Sequence, residues 1–158
     1  MNNIVLIGMP GTGKSVVGQA LASRLGYEFV DVDDLIVEKA GKTLPEILRQ
    51  DGLETFYKIE NQVGRELEWT HTVIATGGSM VLYPEAMAHL KEGSVVVWLQ
   101  TPFTQIQERM PEDLYDRGIA APKDESLRDI YEERRGLYAK YADLIVASQD
   151  GEDNTCGP

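Results

Sequence analysis

The chain has 158 residues, of which 42% are hydrophobic and 26% are charged, and its net charge is −11. This length and composition predict one soluble globular domain with a sizeable core, and the acidic charge argues against a nucleic-acid partner, which would favour a basic face. Because the chain has no apolar run near ~20 residues, no signal-peptide layout at its start and a single cysteine, Cys156, we expect a cytoplasmic protein that binds no membrane.

A glycine-rich loop between a strand and a helix is the first motif in the chain. The run NIVLI is typical of a buried parallel strand, and the stretch GMPGTGKS after it matches G-x-x-x-x-G-K-[ST] at Gly8, Gly13, Lys14 and Ser15. Backbone N–H groups of such a loop bind phosphate oxygens, its lysine reaches the outer phosphates and its serine can bind Mg²⁺. A glycine turn before an amphipathic helix is the alternative, but the strand–loop–helix order favours a nucleotide site.

The helix after this loop is predicted to end at Gly26. Its spacing puts Val16, Ala20 and Leu21 on one face of the helix, with Leu25 below them. This spacing is typical of an amphipathic helix.

Three aspartates, Asp31, Asp33 and Asp34, lie where the second predicted strand should end. Ligands of open α/β sheets lie at the carboxyl ends of strands, so we expect these acids near the glycine-rich loop. In a strand, Asp31 and Asp33 would point the same way, and one could hold Mg²⁺ while the other orients or deprotonates a substrate hydroxyl. The alternative is that the acids cap the next helix, a role that suits Asp34.

Helical patterns then continue to Trp69, and a third strand, TVIAT, follows them. The stretch from Thr43 to Glu46 reads as a capping box that starts a short helix. After the third strand, Gly77 and Gly78 would let the backbone approach a ligand closely, although an ordinary glycine turn explains them equally well.

The second half of the chain continues the alternation of strands and helices. The remaining predicted elements are a helix near residues 84–92, the strand SVVVWL, a helix from Pro102 to about Arg109, a helix near 125–141 and the strand DLIVAS. This alternation predicts an α/β fold with a five-stranded parallel sheet and helices on both of its faces. We expect a single domain over residues 1–148, followed by a disordered tail over 149–158.

A lid is predicted over about residues 110–123, which have no helical period within a compact domain. If this segment is mobile, Arg117 could swing onto a phosphate during its transfer, and Arg109 stands just before it. Arg134 and Arg135 are consecutive on the next helix, so at most one of them points inward. The alternative is that these arginines are ordinary surface residues.

These motifs, in this order, resemble those of the shikimate kinase family, small relatives of the nucleoside monophosphate kinases. The likeness runs from about Asn3 to Val146 and rests on the stretches GMPGTGKS, FVDVD, GLETFYKIE, ATGGS, RMPEDLYDRG and RRGLYAKYAD. It implies a three-layer α/β/α P-loop kinase fold with acceptor-binding helices at about 32–62. It also implies Mg²⁺-dependent transfer of phosphate from ATP to a hydroxyl of shikimate, in aromatic amino acid biosynthesis, by a monomer.

The resemblance also implies roles for individual residues. Those implied to bind ATP are Gly11, Thr12, Gly13, Lys14, Ser15, Val16, Arg109 and Arg117. Those implied to bind the acceptor, a small hydroxylated acid, are Asp33, Tyr57, Gly78, Ser79 and Arg134. Within these sets Lys14, Asp33 and Arg117 are implied to be catalytic, and Ser15 and Asp31 are implied to serve the Mg²⁺.

The chain departs from the family pattern mainly on the acceptor side. Tyr57 stands where the family has an arginine, Ser79 replaces a third glycine and Gly136 replaces a proline. The family's usual final helix also has no counterpart in the polar end of the sequence. A lost arginine should weaken the grip on an acceptor carboxylate. An alternative acceptor, another small hydroxy acid or polyol such as homoserine or a sugar acid, therefore stays open.

Other classes of nucleotide-binding protein fit the sequence less well. A GTPase switch would need N-K-x-D and D-x-x-G, and neither string occurs. A motor or AAA-type ATPase carries an acid after a long apolar strand, whereas VVVWL ends in Gln100. A non-catalytic nucleotide-binding module is disfavoured because Lys14, Asp33 and Arg117 are all present.

Overall fold

The structure is a computed structural model that describes residues 2–147, so the tail predicted over 149–158 lies outside the described residues. The elements are β1 (Asn3–Ile7), α1 (Lys14–Leu25), β2 (Glu28–Asp31), α2 (Val32–Ala40), α3 (Leu44–Glu46), a π-helical turn (Ile47–Asp51), α4 (Leu53–Glu66), β3 (Thr72–Ala75), a 3₁₀ turn (Met80–Leu82), α5 (Pro84–Lys91), β4 (Ser94–Gln100), α6 (Phe103–Arg109), a second 3₁₀ turn (Leu114–Arg117), α7 (Leu127–Tyr141) and β5 (Leu144–Ala147). Within the described part, no helix has both the length and the apolar character that crossing a membrane requires.

The five strands form one parallel sheet in the order β2-β3-β1-β4-β5, which confirms the predicted α/β fold. Alternate residues of the central strand β1 enter two different hydrophobic cores. Val5 and Ile7 belong to the larger core, whereas Leu6 packs with Ala22 of α1 on the other side. The sheet is therefore covered on both faces, and the carboxyl ends of β1, β2 and β3 meet at one edge.

Helix α1 packs through a different face from the predicted one. Val16 is 75% exposed and Leu25 is 47% exposed, while the buried residues of the helix are Lys14, Gly18 and Ala22. A Cβ at Gly18 would lie 2.6 Å from the ring of Phe29. The helix thus approaches the sheet through its small residues Gly18 and Ala22, and of the residues on the apolar face only Leu21 packs against the core.

The short helix α3 begins with the capping box that the sequence predicts. The Thr43 hydroxyl accepts a hydrogen bond from the backbone N–H of Glu46, and the Thr43 N–H donates to the Glu46 side chain. These reciprocal bonds satisfy two N–H groups that a helix start leaves without partners. Helices α2, α3 and α4 follow one another here and build one wall beside the site.

Residues 110–123, called the lid segment below, pack against this wall. The segment contains the 3₁₀ turn Leu114–Arg117, and its Tyr115, Ile119 and Ala120 are buried. A Cβ at Gly118 would lie 2.6 Å from Cβ of Leu44, so the chain passes α3 closely at this glycine. The absence of an α-helical period is confirmed, and the mobility of the lid stays a prediction.

Candidate active site

A cavity of about 260 Å³ opens at the carboxyl ends of the central strands. Its walls are the glycine-rich loop after β1, the aspartates after β2, the glycines after β3, the lid segment and α7. This is the edge of the sheet at which open α/β folds bind their ligands. The cavity brings together most of the residues that the sequence predicts for a site.

The loop over residues 8–15 is held tightly against the sheet. Gly8 has a φ of +148°, and a Cβ there would lie 2.7 Å from the carbonyl oxygen of Leu99. The Lys14 amine donates to the carbonyls of Gly8 at 2.8 Å and Met9 at 2.9 Å. Burial lowers the pKa of Lys14 to about 8, although the charges of Asp33 and Asp31 act to raise it. The loop therefore keeps a buried amine beside the cavity.

Asp31 links α1 to the start of α2. One of its oxygens accepts a hydrogen bond from the Ser15 hydroxyl at 2.5 Å, and the other accepts from the backbone N–H of Asp33 at 2.9 Å. The chain turns into α2 directly after Asp31, so Asp31 and Asp33 do not share a strand face as expected. The alternative that one of these acids caps the helix also holds, although the cap is Asp31 and not Asp34.

Asp33 nevertheless reaches the cavity from the first turn of α2. A Cβ at Gly77 would lie 3.3 Å from an Asp33 carboxyl oxygen, so this glycine leaves room for the aspartate. Burial raises the pKa of Asp33 to about 7, and the neighbouring Asp31 acts in the same direction. A carboxyl that titrates near neutral pH can accept a proton from a substrate hydroxyl.

The cation on the α7 side of the cavity is Arg134. It is 2% exposed, whereas its neighbour Arg135 is exposed, which confirms that only one of the two points inward. One guanidinium N–H group donates to the carbonyl of Ala120 in the lid segment at 2.6 Å. Its Nε has no hydrogen-bond partner among residues 2–147. A cation in the lining of a cavity can bind an anionic ligand group.

Glu60 of α4 lines the same cavity, and the sequence reasoning gave it no role. It is 1% exposed and shares the buried face of α4 with Phe56. Its Oε1 accepts hydrogen bonds from the hydroxyls of Ser79 and Tyr83, the latter at 2.7 Å. The signal was available, because a glutamate four residues after Phe56 falls on the apolar face of an amphipathic helix.

Arg117 of the lid segment and Arg109 just before it meet near the loop over residues 8–15. Arg117 lines the cavity and donates to the carbonyl of Arg109 at 3.0 Å. Arg109 lies outside the cavity lining, but its guanidinium donates to the carbonyl of Gly11. Thr12 is buried and is likewise absent from the lining, whereas Val16 contributes to it. The structure thus brings Arg117 into the site and Arg109 to its rim.

Comparison with known proteins identifies the class of site. The family model for shikimate kinase matches residues 10–156. The chain belongs to the shikimate kinase family. A curated shikimate kinase from Synechococcus sp. (strain RCC307) is 41% identical over 150 residues, which make up 93% of this chain and 76% of that protein. As a member of this family, the chain is a small-molecule kinase.

Solved shikimate kinase structures have the same fold as this chain. The shikimate kinase from Acinetobacter baumannii in complex with shikimate has a TM-score of 0.84 and 34% identity, and the match covers 94% of this chain and 84% of that one. The enzyme from Aquifex aeolicus has a TM-score of 0.80 and 31% identity, and the match covers 99% of both chains. The three-layer P-loop kinase fold that the family resemblance implies is therefore confirmed.

The positions at which this chain departs from the family pattern differ in their surroundings. Tyr57 does not line the cavity, and its ring meets the ring of Tyr83 edge-on with 5.9 Å between centroids. Ser79 does line the cavity, but its hydroxyl is bonded to Glu60. Gly136 lies on the exposed side of α7. Only Ser79 among these three therefore borders the space where an acceptor would lie, and the acceptor contact of Tyr57 stays a prediction.

Proposed function

We propose that this chain transfers the terminal phosphate of ATP to a hydroxyl of shikimate, giving shikimate 3-phosphate and ADP. One observation carries the proposal: a single cavity joins the lysine of a phosphate-binding loop, Lys14, to a carboxyl with a pKa near 7, Asp33, and a buried cation, Arg134. A phosphate donor, a hydroxyl and a carboxylate can occupy these three places together. The membership of the chain in the shikimate kinase family supports the same reaction.

The nucleotide side of the proposed site consists of the loop over residues 8–15 and the lid arginines. Backbone N–H groups of the loop would bind the phosphates, and Lys14 would neutralise charge on the transferring group. Arg117 would add a second cation at the phosphates from the lid side, where it already lines the cavity. Arg109, which is bonded to Gly11 at the rim, would contact the base of the nucleotide.

We propose Mg²⁺ as the metal, held by the Ser15 hydroxyl and by Asp31. This pair fits the ion, because the two oxygens lie 2.5 Å apart beside the cavity and Mg²⁺ takes one or two protein oxygens together with phosphates. When bound, the ion would offset the charge that phosphates carry during transfer. Without the ion, the hydrogen bond between Ser15 and Asp31 keeps their side chains turned toward each other.

On the acceptor side, Asp33 would orient the attacking hydroxyl and take its proton. A base that titrates near pH 7 is matched to this task, since it is partly ionised at neutral pH and still accepts a proton. Arg134, a cation in the cavity lining, would hold the acceptor carboxylate. Backbone N–H groups near Gly78 and Ser79 would contribute further donors. The hydroxyl is then fixed between the base and the phosphate, which lowers the entropic part of the barrier.

The alternative acceptor, another hydroxy acid or a polyol, has weaker support. It rested on Tyr57 replacing an arginine, and Tyr57 lies outside the cavity lining. In addition, the relatives that match this chain over nearly its whole length are shikimate kinases. Shikimate is therefore the acceptor that we propose.

A coupled assay of ATP consumption tests this proposal against a panel of shikimate, homoserine and a sugar acid. We expect Mg²⁺-dependent turnover with shikimate and a product that gains one phosphate by mass spectrometry. Lys14→Ala serves as the control and should abolish transfer, because the loop loses the cation for the transferring group. Turnover with another acid and none with shikimate would refute the proposed acceptor.

A further inference from the structure

The backbone after β3 makes a tight turn over residues 77–80. The N–H of Met80 donates to the carbonyl of Gly77 at 3.2 Å, so Gly78 and Ser79 are the two central residues of a β-turn. Ser79 has a φ of −93° and a ψ of −3°, which are the dihedral angles of a type I turn at this position. The peptide group between Gly78 and Ser79 is the central peptide of this turn, and its orientation defines the turn type.

A tyrosine of α7 binds this central peptide. The hydroxyl of Tyr138 donates to the carbonyl of Gly78 at 2.7 Å. The tyrosine is fully buried, and the centroid of its ring lies 5.7 Å from that of the Trp98 ring. In a trans peptide the carbonyl and the N–H that follows it point in opposite directions. The bond from Tyr138 therefore also fixes the direction of the Ser79 N–H.

The turn brings backbone donors to the cavity. Gly78 and Ser79 both line the cavity, and Gly78 is half-buried. The N–H group of neither residue donates a hydrogen bond to backbone or side chain within residues 2–147. In a type I turn both groups point to the same side, because its central residues have near-helical dihedral angles. A ligand in the cavity can therefore accept hydrogen bonds from this side of the turn.

We propose that Tyr138 is a positioning residue of the acceptor site, because its hydroxyl keeps the turn over residues 77–80 in the form that offers these N–H groups to the acceptor. This proposal rests on the proposed function, in which the same N–H groups help to bind the acceptor carboxylate. Arg134, the other ligand proposed for that carboxylate, lies one turn before Tyr138 on the buried face of α7. One helix thus places both the cation and the backbone donors.

The orientation of the central peptide matters because a turn can take two forms with the same hydrogen bond across it. Type I and type II turns differ by a reversal of this peptide, which in type II would put the carbonyl of Gly78 where the N–H of Ser79 now lies. A carbonyl oxygen repels a carboxylate, whereas an N–H binds it. Type II also needs a positive φ at the position of Ser79, which a serine disfavours and a glycine allows. Tyr138 and Ser79 therefore both favour the type I form.

The other contacts of the turn fix its place but not the orientation of its central peptide. A Cβ at Gly78 would lie 2.8 Å from Cδ of Pro10, so the turn packs against the glycine-rich loop. The hydroxyl of Ser79 donates to Glu60. Because a peptide group can reverse between two Cα atoms that hardly move, neither contact prevents the reversal. Within residues 2–147, the hydroxyl of Tyr138 is the group that binds the carbonyl directly.

Tyr138→Phe tests this proposal in the full-length protein, because it removes the hydroxyl and keeps the ring. Tyr131→Phe is the control, since it makes the same change on the same helix at a ring that packs against Phe103 outside the lining of the cavity. The kcat and the KM values for shikimate and for ATP are measured for both variants and for the wild type, each with the other substrate and Mg²⁺ at saturation. Thermal denaturation measures what each variant loses in stability.

We expect Tyr138→Phe to raise the KM for shikimate by about fivefold, the value of one ordinary hydrogen bond. Its kcat and its KM for ATP should stay within about twofold of the wild-type values, because a carboxylate remote from the reacting hydroxyl is held alike in the ground and transition states. Tyr131→Phe should leave all three values unchanged. An unchanged KM for shikimate in Tyr138→Phe, or a kcat and both KM values that worsen together, would overturn the proposal.

Substitutions at Ser79 test whether the central peptide reverses. Ser79→Gly and Ser79→Ala both remove the hydroxyl that binds Glu60, but only glycine readily takes a positive φ. In the Tyr138→Phe protein, Ser79→Gly should raise the KM for shikimate about threefold more than Ser79→Ala does. With Tyr138 in place, the effects of the two substitutions should agree within about twofold, because its hydroxyl holds the peptide. Equal effects of both in the Tyr138→Phe protein would overturn the proposal.

Nuclear magnetic resonance of the wild type gives a test that needs no variant. When shikimate is added, the amide proton signals of Gly78 and Ser79 should move downfield as their N–H groups bind the carboxylate. If neither signal moves in a protein that turns over shikimate, the proposal is overturned, even where Tyr138→Phe does not fold. No turnover of shikimate by the wild type would instead refute the proposed function, and the same measurements on the acid that the wild type phosphorylates would then decide the role of Tyr138.

Discussion

Arg49, in the π-helical turn Ile47–Asp51, donates a hydrogen bond to Asp113 of the lid segment at 3.0 Å and a second one to Asp116. These two bonds connect the wall formed by α2, α3 and α4 with the lid segment, which lies more than 60 residues further along the chain. All three side chains are largely exposed, so the ion pairs add little to the stability of the fold. Their effect should fall on the position of the lid segment.

Arg49→Ala should loosen the lid segment without unfolding the protein. We expect the free energy of unfolding to change by less than ~1 kcal/mol, since exposed ion pairs are weak. Limited proteolysis within residues 110–123 should become several-fold faster, because the segment loses its charged contacts with the wall. Lys42→Ala is the matched control, as it removes another exposed ion pair, with Asp51, that does not involve the lid segment. Equal proteolysis rates in both variants would contradict this role.

Asp31→Asn and Asp33→Asn should respond differently to Mg²⁺. Asp31 is bonded to Ser15 at the proposed metal position, whereas Asp33 faces Gly77 on the acceptor side. We expect raised Mg²⁺ to restore part of the kcat of Asp31→Asn. The remaining ligands still bind the ion, but with a lower affinity, so a higher Mg²⁺ concentration is needed to fill the site. The kcat of Asp33→Asn should stay low at every Mg²⁺ concentration, since its base is lost. The same Mg²⁺ dependence for both variants would disprove this division of roles.

Asp33→Asn should stabilise the metal-free, nucleotide-free protein at pH 8. The pKa of Asp33 is about 7 in the fold against 3.8 for an ordinary aspartate, so the folded state holds a proton that the unfolded chain releases between these values. The free energy of unfolding therefore falls as the pH rises through this window. The shift corresponds to at most ~4 kcal/mol, so we expect the variant to gain between about 1 and about 4 kcal/mol.

Thermal denaturation of wild type and Asp33→Asn at about pH 4 and about pH 8 measures this gain. The stabilities of the two proteins should differ at the higher pH and nearly converge at the lower one, where Asp33 is protonated in the fold and about half ionised in the unfolded chain. Asp34→Asn removes the same charge from the exposed neighbouring position and should show no such dependence. A stabilisation that is equal at both pH values would refute the assigned cause.

Sequence patterns predicted the structure correctly where local rules determine it. The loop with Lys14 and Ser15, the capping box at Thr43 and the parallel sheet all follow from residue type and spacing. The patterns failed where close packing determines which residues are buried. Gly18 gives α1 its buried face because Phe29 leaves no room for a side chain, and hydrophobicity alone does not reveal this.

The acceptor side was harder to predict because its geometry depends on contacts between distant parts of the chain. Asp31 caps α2 through its own side chain, which ends the strand two residues earlier than the run FVDVD indicates. Glu60 acquires its surroundings from Ser79 and Tyr83, about 20 residues further along the chain. A hydrogen-bond network of this kind forms only in the folded protein, so no single motif contains it.

Tyr57→Arg should lower the KM for shikimate by about tenfold. Tyr57 lies next to the cavity and is close enough to Arg134 and Glu60 for both to influence the pKa of its hydroxyl, which burial raises. A guanidinium at this position is longer than the tyrosine ring and can donate charged hydrogen bonds, worth ~1.5–3 kcal/mol against ~1 for neutral ones. A gain of about 1.4 kcal/mol corresponds to the tenfold change.

The control for this variant is Tyr57→Leu, which also removes the edge-on contact with the Tyr83 ring but adds no cation. Both variants should lose about 0.5–1.5 kcal/mol of stability, the usual value of such an aromatic pair, and thermal denaturation measures that loss. Only Tyr57→Arg should lower the KM, and its kcat should change little, because a carboxylate remote from the reacting hydroxyl is held alike in the ground and transition states. An unchanged KM in Tyr57→Arg would mean that residue 57 makes no contact with the acceptor, and the carboxylate would then be held by Arg134 and by the backbone near Gly78 and Ser79.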